Sequence, residues 1–188
     1  MTSDEFRAIF TDIGQLFFYH ILEKELSSCK TVLDVGCGHN SPLGKIKKSF
    51  ISEGIDIHKE CIVKSQKRGI HDSYKIADIR NLAKLYRHES FDAIIALDVI
   101  EHLRKNEGKR LMKDMERIAK KVILLTPNGF LEQNTLENNQ YQIHQSGWSK
   151  EELEKLGYKV YGLRGLKYLR NEEAGIKYRP YLLWGLLS

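Results

Sequence analysis

The feature that most limits what this chain can become is the run from Val32 to Asn40, Val-Leu-Asp-Val-Gly-Cys-Gly-His-Asn. Thr31 to Val35 is short, apolar and rich in β-branched residues, as a buried strand is, and it leads straight into Gly36 and Gly38. Glycine tolerates the left-handed backbone of a tight turn and lets main chain approach a ligand closely. Ser41-Pro42 then reads as a helix start, Ser at the N-cap and Pro in the first turn. Strand, glycine turn and helix N-terminus make the first unit of an α/β sheet and a seat for a ligand. Asp34 sets the sign of that seat, because a carboxylate repels a pyrophosphate and attracts a cation. That points to a ligand carrying an ammonium and a sulfonium. The dinucleotide fingerprint G-x-G-x-x-G also fails here, since its third glycine falls on Ser41.

Two further strand ends carry acids. Gly54-Ile55-Asp56-Ile57 lies about twenty residues on, where an acid can accept both ribose hydroxyls of an adenosine. Tyr74-Lys75-Ile76-Ala77-Asp78, followed by Ile79, closes a third short strand on an acid suited to an adenine amino group. Any one of these acids could be a solvated strand-end residue. Acids at successive strand ends are harder to dismiss.

With these residues the chain resembles the class I S-adenosylmethionine-dependent methyltransferases. Val32–Asn40 is similar to their first motif, and Phe91 to Leu103, with Leu97, Asp98, Glu101 and His102, to their fourth-strand segment in its small-molecule and lipid-precursor form. The resemblance runs from about residue 28 to 165. It departs at Asn40, where many members have a third glycine, though Asn tolerates left-handed geometry better than most residues. The resemblance implies S-adenosyl-L-methionine as cofactor, held by Asp34, Gly36, Cys37, Gly38, Asp56, Ile57, Asp78, Ile79, Leu97 and Asp98. It also implies that His144-Gln145-Ser146-Gly147-Trp148 stands before the next helix, with His144 binding substrate, acting as base or simply anchoring its loop. Some relatives that methylate vicinal hydroxyls bind a divalent metal through a Glu-x-x-Glu-His pattern here and a distant His. Asp98, Glu101, His102 and His144 would reproduce it with one acid shortened, whereas in metal-free relatives the Glu simply opens the next helix.

Composition agrees. A chain of 188 residues, 41% hydrophobic and 29% charged, is one soluble domain with a substantial core. Cys29, Cys37 and Cys61, odd in number and widely spaced, suggest a reducing compartment rather than disulfides or zinc. No apolar run approaches membrane-spanning length and the N-terminus lacks a basic start, so a cytoplasmic chain is expected. The net charge of +5 invites a nucleic-acid reading. Its basic residues gather between Arg104 and Lys121, where Leu111, Met115, Ile118 and Val122 recur at helical spacing, so the charges fall on a solvated outer face. No aromatics interleave to stack bases, and the fourth strand ends Leu97-Asp98-Val99-Ile100 rather than in an Asn/Asp-Pro-Pro-aromatic box.

The alternation of patterns predicts a Rossmann-like, mainly parallel, doubly wound sheet in a single domain, with an N-terminal helical cap over 1–27, a core over 28–165 and an extension over 166–188. Strands are expected near 31–35, 53–57, 74–77, 91–97, 121–126 and 157–163. Helices are expected near 41–49, 59–68, 103–120 and 149–156, the last with a Ser149/Glu152 capping box. Thr2 and Glu5 form a similar box before Phe6, Ile9, Phe10, Ile13, Leu16, Phe17 and Ile21, which recur at helical spacing. The seventh strand of the fold class is expected to be absent or degenerate. The apolar run Tyr181 to Leu187 would then lie exposed and favour self-association or a lipidic surface. The polar connection from Pro127 to Trp148 starts at a strand's carboxyl end, so it should roof the site.

The predicted activity is therefore methyl transfer to a small-molecule acceptor, apolar or lipid-linked. His102 and His144 are the candidate catalytic bases. Tyr19, His20 and Trp148 are the candidate substrate walls, and no metal is assigned. The rivals are a non-catalytic S-adenosylmethionine-binding module and a nucleic-acid methyltransferase.

Overall fold

The computed structural model describes residues 16–133, 140–163 and 182–187. Its centre is a seven-stranded sheet in the order β3-β2-β1-β4-β5-β7-β6. The strands are β1 (Thr31–Val35), β2 (Ile51–Asp56), β3 (Ser73–Ile76), β4 (Phe91–Leu97), β5 (Ala119–Thr126), β6 (Lys159–Leu163) and β7 (Leu182–Leu187). The first five run parallel, while β7 pairs antiparallel with both β5 and β6.

The expectation of an absent seventh strand is corrected by this pairing. The run Leu182 to Leu187 is hydrogen-bonded on both edges, against β5 and β6. It is thus an internal strand, and the premise of an apolar run left outside the sheet does not hold. The capping box at Thr2 and the apolar positions from Phe6 to Ile13 lie outside the described residues.

Both faces of the sheet are covered, and the strand pleat explains how. Leu33 and Val35, Ile94 and Ala96, and Val122 and Leu124 enter one core with α4 (Lys105–Ile118) and α5 (Lys150–Lys155). Their neighbours Val32, Ala93, Ile95, Ile123 and Leu125 enter the other, against Phe18, Leu22 and Leu26 of α1, the helix over 16–26. Helix α4 buries Leu111, Met112, Met115 and Ile118 on one stripe and leaves Lys109, Arg110 and Lys113 outside, as the basic segment predicts. Other cations of that segment hold structure. Arg117 donates to the carbonyls of Ala83 and Tyr86, Lys120 pairs with Asp92, and Lys121 with Glu25.

Two elements differ from expectation. The segment after Ser41 is not a helix to residue 49 but a single 3-10 turn, Pro42–Lys45, with Leu43 N–H donating to Ser41 Oγ. The start signal is real, but Gly44 opposes continuation, and a side chain there would press on Ile70 at 3.3 Å. The short helix α3 (Leu82–Leu85) was not foreseen, being only one turn long. Helix α2 (Lys59–Lys67) and the Ser149/Glu152 box at the start of α5 follow the sequence.

Candidate functional site

A cavity of about 490 Å³ opens at the carboxyl ends of the parallel strands, beside the point where strand order reverses between β1 and β4. It is lined by Gly36 and Gly38 after β1, Asp56 at the end of β2 with Ile57 and His58 beyond it, Asp78 to Arg80 after β3, and Asp98 and Val99 after β4. Asp56 apart, each is delivered by the loop that leaves its strand. The far side is formed by His102 to Arg104 and by Gln140, Tyr141, Gln142 and Gln145.

The glycine turn is held from below. Gly36 and Cys37 both donate N–H to Ile55 O, at 2.8 and 3.1 Å. Gly36 has φ +68°, and a Cβ there would sit 2.7 Å from Val99 Cγ2, so only glycine lets the turn pass under β4's exit. Asp56 is fastened by two backbone groups. Oδ2 accepts from Gly38 N–H at 2.9 Å and Oδ1 from His58 N–H at 2.8 Å. One acceptor site on each oxygen remains for a ligand. Asp78 is engaged by Arg80 through its backbone N–H and a bidentate fork, and these hydrogen bonds hold its carboxyl below the usual carboxylate range.

Asp98 is a non-glycine residue with φ 56°. It turns the chain left-handed as β4 ends, which sets its side chain on the cavity. Behind it lies a polar cluster of Glu101, His102 and His144, in which one donor atom from each lies within 4.8 Å of the others. Glu101 is buried and accepts from Thr126 Oγ1 at 3.0 Å, and burial, with the Asp98 charge beside it, pushes its carboxyl up to about 8. Burial and then His144 hold His102 below the ordinary imidazole range, so it is neutral near pH 7. His144 Nδ1 faces Leu131 O at 2.6 Å and His102 Nδ1 faces Ile143 O at 3.4 Å. A carbonyl partner favours a proton on the ring nitrogen that faces it.

The roof expectation for the Pro127–Trp148 connection holds in its described part, since Gln140 to Gln142 and Gln145 border the cavity. It is stitched to the start of the next segment. Gln145 and Ser146 N–H both donate to Glu101 O, Ser146 Oγ and Trp148 Nε1 to Ile100 O, and Lys105 Nζ to Gly147 O.

Several expected site residues stand elsewhere. Asp34 is buried and does not line the cavity; its Oδ2 accepts from Ser41 Oγ and pairs with His71 Nε2 at 2.9 Å. The alternation of β1 turns it to the same face as Val32. Cys37 is likewise buried, its thiol pushed up by burial. Leu97 packs against the α1-side core. Trp148 is fully buried among core residues, with Lys105 Nζ 3.9 Å above its ring, so it is a packing anchor and not a substrate wall. His144 is buried behind His102, their ring centroids 4.8 Å apart, and is not itself on the cavity. Tyr19 packs on the α1-side core, while Phe17 and His20 are exposed, and none of the three reaches the cavity. Ile57, Ile79, Gly36, Gly38, Asp56, Asp78, Asp98 and His102 line the cavity.

Sequence reasoning missed His58, whose Nδ1 is buried without a hydrogen-bond partner in a residue lining the cavity. Its place two residues after Asp56 was the only signal. It also missed His71, which carries no local pattern at all.

Residues 18–147 match the family described as methionine biosynthesis protein MetW. No curated protein matches the chain in sequence. The methyltransferase domain of bacterial CtHen1-CN is similar in structure, with a TM-score of 0.60 and 23% identity over 89% of this chain and 95% of that one. DhpI in complex with SAH gives a TM-score of 0.63 at 13% identity, over 98% and 89% of the two chains. The plantazolicin methyltransferase BpumL in complex with SAH gives 0.60 at 18% identity, over 98% and 86%. The fold is that of the class I S-adenosylmethionine-dependent methyltransferases.

Proposed function

The chain belongs to the family described as methionine biosynthesis protein MetW, and on that premise we propose that it transfers a methyl group from S-adenosylmethionine to a small-molecule acceptor. The observation that carries the reading is the convergence of the Gly36–Gly38 backbone, Asp56, Asp78 and Asp98 on one cavity at the carboxyl ends of β1 to β4. The residues fit the cofactor. Asp56 keeps free acceptor sites for two ribose hydroxyls, and the orphaned His58 Nδ1 offers a further polar contact beside it.

When bound, the sulfonium supplies an activated methyl group whose leaving thioether is neutral. The protein's task is then to align the acceptor and exclude water. Asp98, set on the cavity by its left-handed backbone, would face the sulfonium side. His102 lines the cavity and is neutral near pH 7, so it would accept the proton of a hydroxyl acceptor. His144, fixed to Leu131 O, would hold the His102 ring in place.

A cavity of about 490 Å³ suits a small acceptor. The Tyr141, Gln142, Gln145 and Arg104 side of it favours a polar one over the apolar or lipid-linked acceptor expected from sequence. Calorimetry with S-adenosylhomocysteine and with NAD tests the cofactor, and binding of NAD alone would sink the reading. Methyl-labelled S-adenosylmethionine added to a metabolite extract, and separately to RNA, tests the acceptor class. Label in neither fraction, with cofactor still bound, would leave the non-catalytic module.

One observation favours a metal-assisted form of the same reaction. Glu101, His102 and His144 converge with one ligand atom from each within 4.8 Å of the others, a donor set that fits a divalent cation. Bound there, a cation would polarise an acceptor hydroxyl. Manganese or magnesium titration of the wild type and Glu101→Gln, followed by calorimetry, decides it. Equal heats from both proteins would remove the metal.

A further inference from the structure

We infer that His71 is a positioning residue for the methyl donor, acting through Asp34 on the glycine turn. This rests on the proposed cofactor and deepens it.

His71 comes from the loop before β3, and its side chain has no solvent exposure; that of Asp34 has 3%. Its Nε2 lies 2.9 Å from Asp34 Oδ2, the same oxygen that accepts from Ser41 Oγ. Its Nδ1 faces Ser65 Oγ of α2 at 3.5 Å, its N–H donates to Tyr74 Oη of β3 at 2.9 Å, and Tyr74 Oη donates to Ser65 O. The room for the ring is made by Gly54 in β2, where a Cβ would stand 2.9 Å from Nδ1 and 3.0 Å from Cys37 Sγ. His71 therefore joins β1 and α2 through its ring and β3 through its backbone N–H, in the space that Gly54 of β2 leaves open.

Physical chemistry gives this tie a direction. A buried carboxylate needs partners, and Asp34 has two, His71 from one side and Ser41 from the other. Ser41 Oγ in turn accepts Leu43 N–H, so Asp34 fixes where the chain leaves the turn. The entry of the turn is fixed independently by the bonds of Gly36 and Cys37 to Ile55 O. Loss of His71 would leave Asp34 held by Ser41 alone and loosen the exit, with the entry in place. The sheet order then says which end of the donor feels it. Asp78 after β3 and Asp56 at the end of β2 stand on the adenosine side, and the turn after β1 is the next position along, beside β4. That is the side of the aminoacyl tail. A carboxylate thought from sequence to hold the ligand's ammonium is instead the underside of the turn that seats it.

The test compares two ligands on wild type, His71→Gln and His71→Phe. Glutamine retains a side-chain N–H for Asp34, and phenylalanine retains volume without one. Calorimetry should show S-adenosylhomocysteine bound about 10–100-fold more weakly by His71→Phe, on the scale of lost outer-shell partners. Adenosine affinity should stay within about 3-fold, and His71→Gln should recover most of the loss. A purely structural histidine would lower the thermal midpoint and leave the ratio of the two affinities unchanged, which would overturn the inference. If His71→Phe does not fold, Ser41→Ala must show the same selective loss, and an unchanged ratio there would equally overturn it. Wild type binding neither ligand would instead overturn the cofactor reading beneath it.

Discussion

Replacing Asp56 by Ala should weaken S-adenosylhomocysteine binding by about 1.5–3 kcal/mol, roughly 10- to 150-fold in Kd. The carboxylate oxygens each hold one backbone N–H, from His58 at 2.8 Å and Gly38 at 2.9 Å, which aims their remaining acceptor sites at the cavity. Each of two ribose hydroxyls bonded to a carboxylate contributes about 1.5–3 kcal/mol net. Water entering the space left by the side chain returns part of that, so the net loss should approach the value for one such bond. The assay is calorimetry on folded protein, with circular dichroism as the control, since Gly38 also loses an anchor. A donor analogue lacking the 2′ and 3′ hydroxyls separates the two effects. It should bind wild type and Asp56→Ala almost equally, and the coupling between the two changes isolates the ribose contact. If folded Asp56→Ala binds S-adenosylhomocysteine within about 2-fold of wild type, or loses as much affinity for the analogue, the carboxylate does not hold the ribose.

Gly36→Ala should lower both stability and cofactor affinity, because φ +68° costs an L-residue about 1–2 kcal/mol and the new Cβ meets Val99 Cγ2 at 2.7 Å. Adding Val99→Ala should restore only the contact part, and full recovery of the melting temperature would show that the backbone was not strained. Gly108→Ala improves helix propensity by about 1 kcal/mol yet puts a Cβ 2.6 Å from Trp148 Cζ2, so α4 and Trp148 should part and stability fall by about 1–3 kcal/mol. A rise in melting temperature would contradict that packing. Asp92 accepts the N–H groups of Lys30 and Thr31 and pairs with Lys120, and these bonds depress its carboxyl to about 2. A depressed acid stabilises above its unfolded value, near 3.9, and stops doing so as pH falls through the folded one. Asp92→Ala should therefore lose about 1 kcal/mol, modest because the group is partly exposed, at every pH above about 4. Urea midpoints should then converge with wild type towards pH 2, and a gap that stays constant with acidification would refute the assignment.

The sheet was legible because its signals are local. Apolar runs ending in Asp56, Asp78 and the Gly36–Gly38 turn fix both strand and site end, whatever packs around them. The parallel core follows from the alternation of strand and helix patterns, and the cavity from where such strands end. What the sequence could not supply was direction and partnership. Asp34 looks like a ligand residue on the page, and only the pleat of β1, with His71 arriving from a loop thirty-seven residues on, turns it under the turn. Trp148 looks like a substrate wall until Gly108 opens a slot for it in α4. Leu182 to Leu187 reads as an unpartnered apolar tail because its two neighbours, β5 and β6, are known only once the sheet is closed around it. Glu101, His102 and His144 draw together because the connection before β6 folds back onto Glu101 O and Ile100 O. Local sequence sets which backbone is extended and where it turns. Long-range hydrogen bonds and packing decide which face each side chain takes and which distant groups it meets.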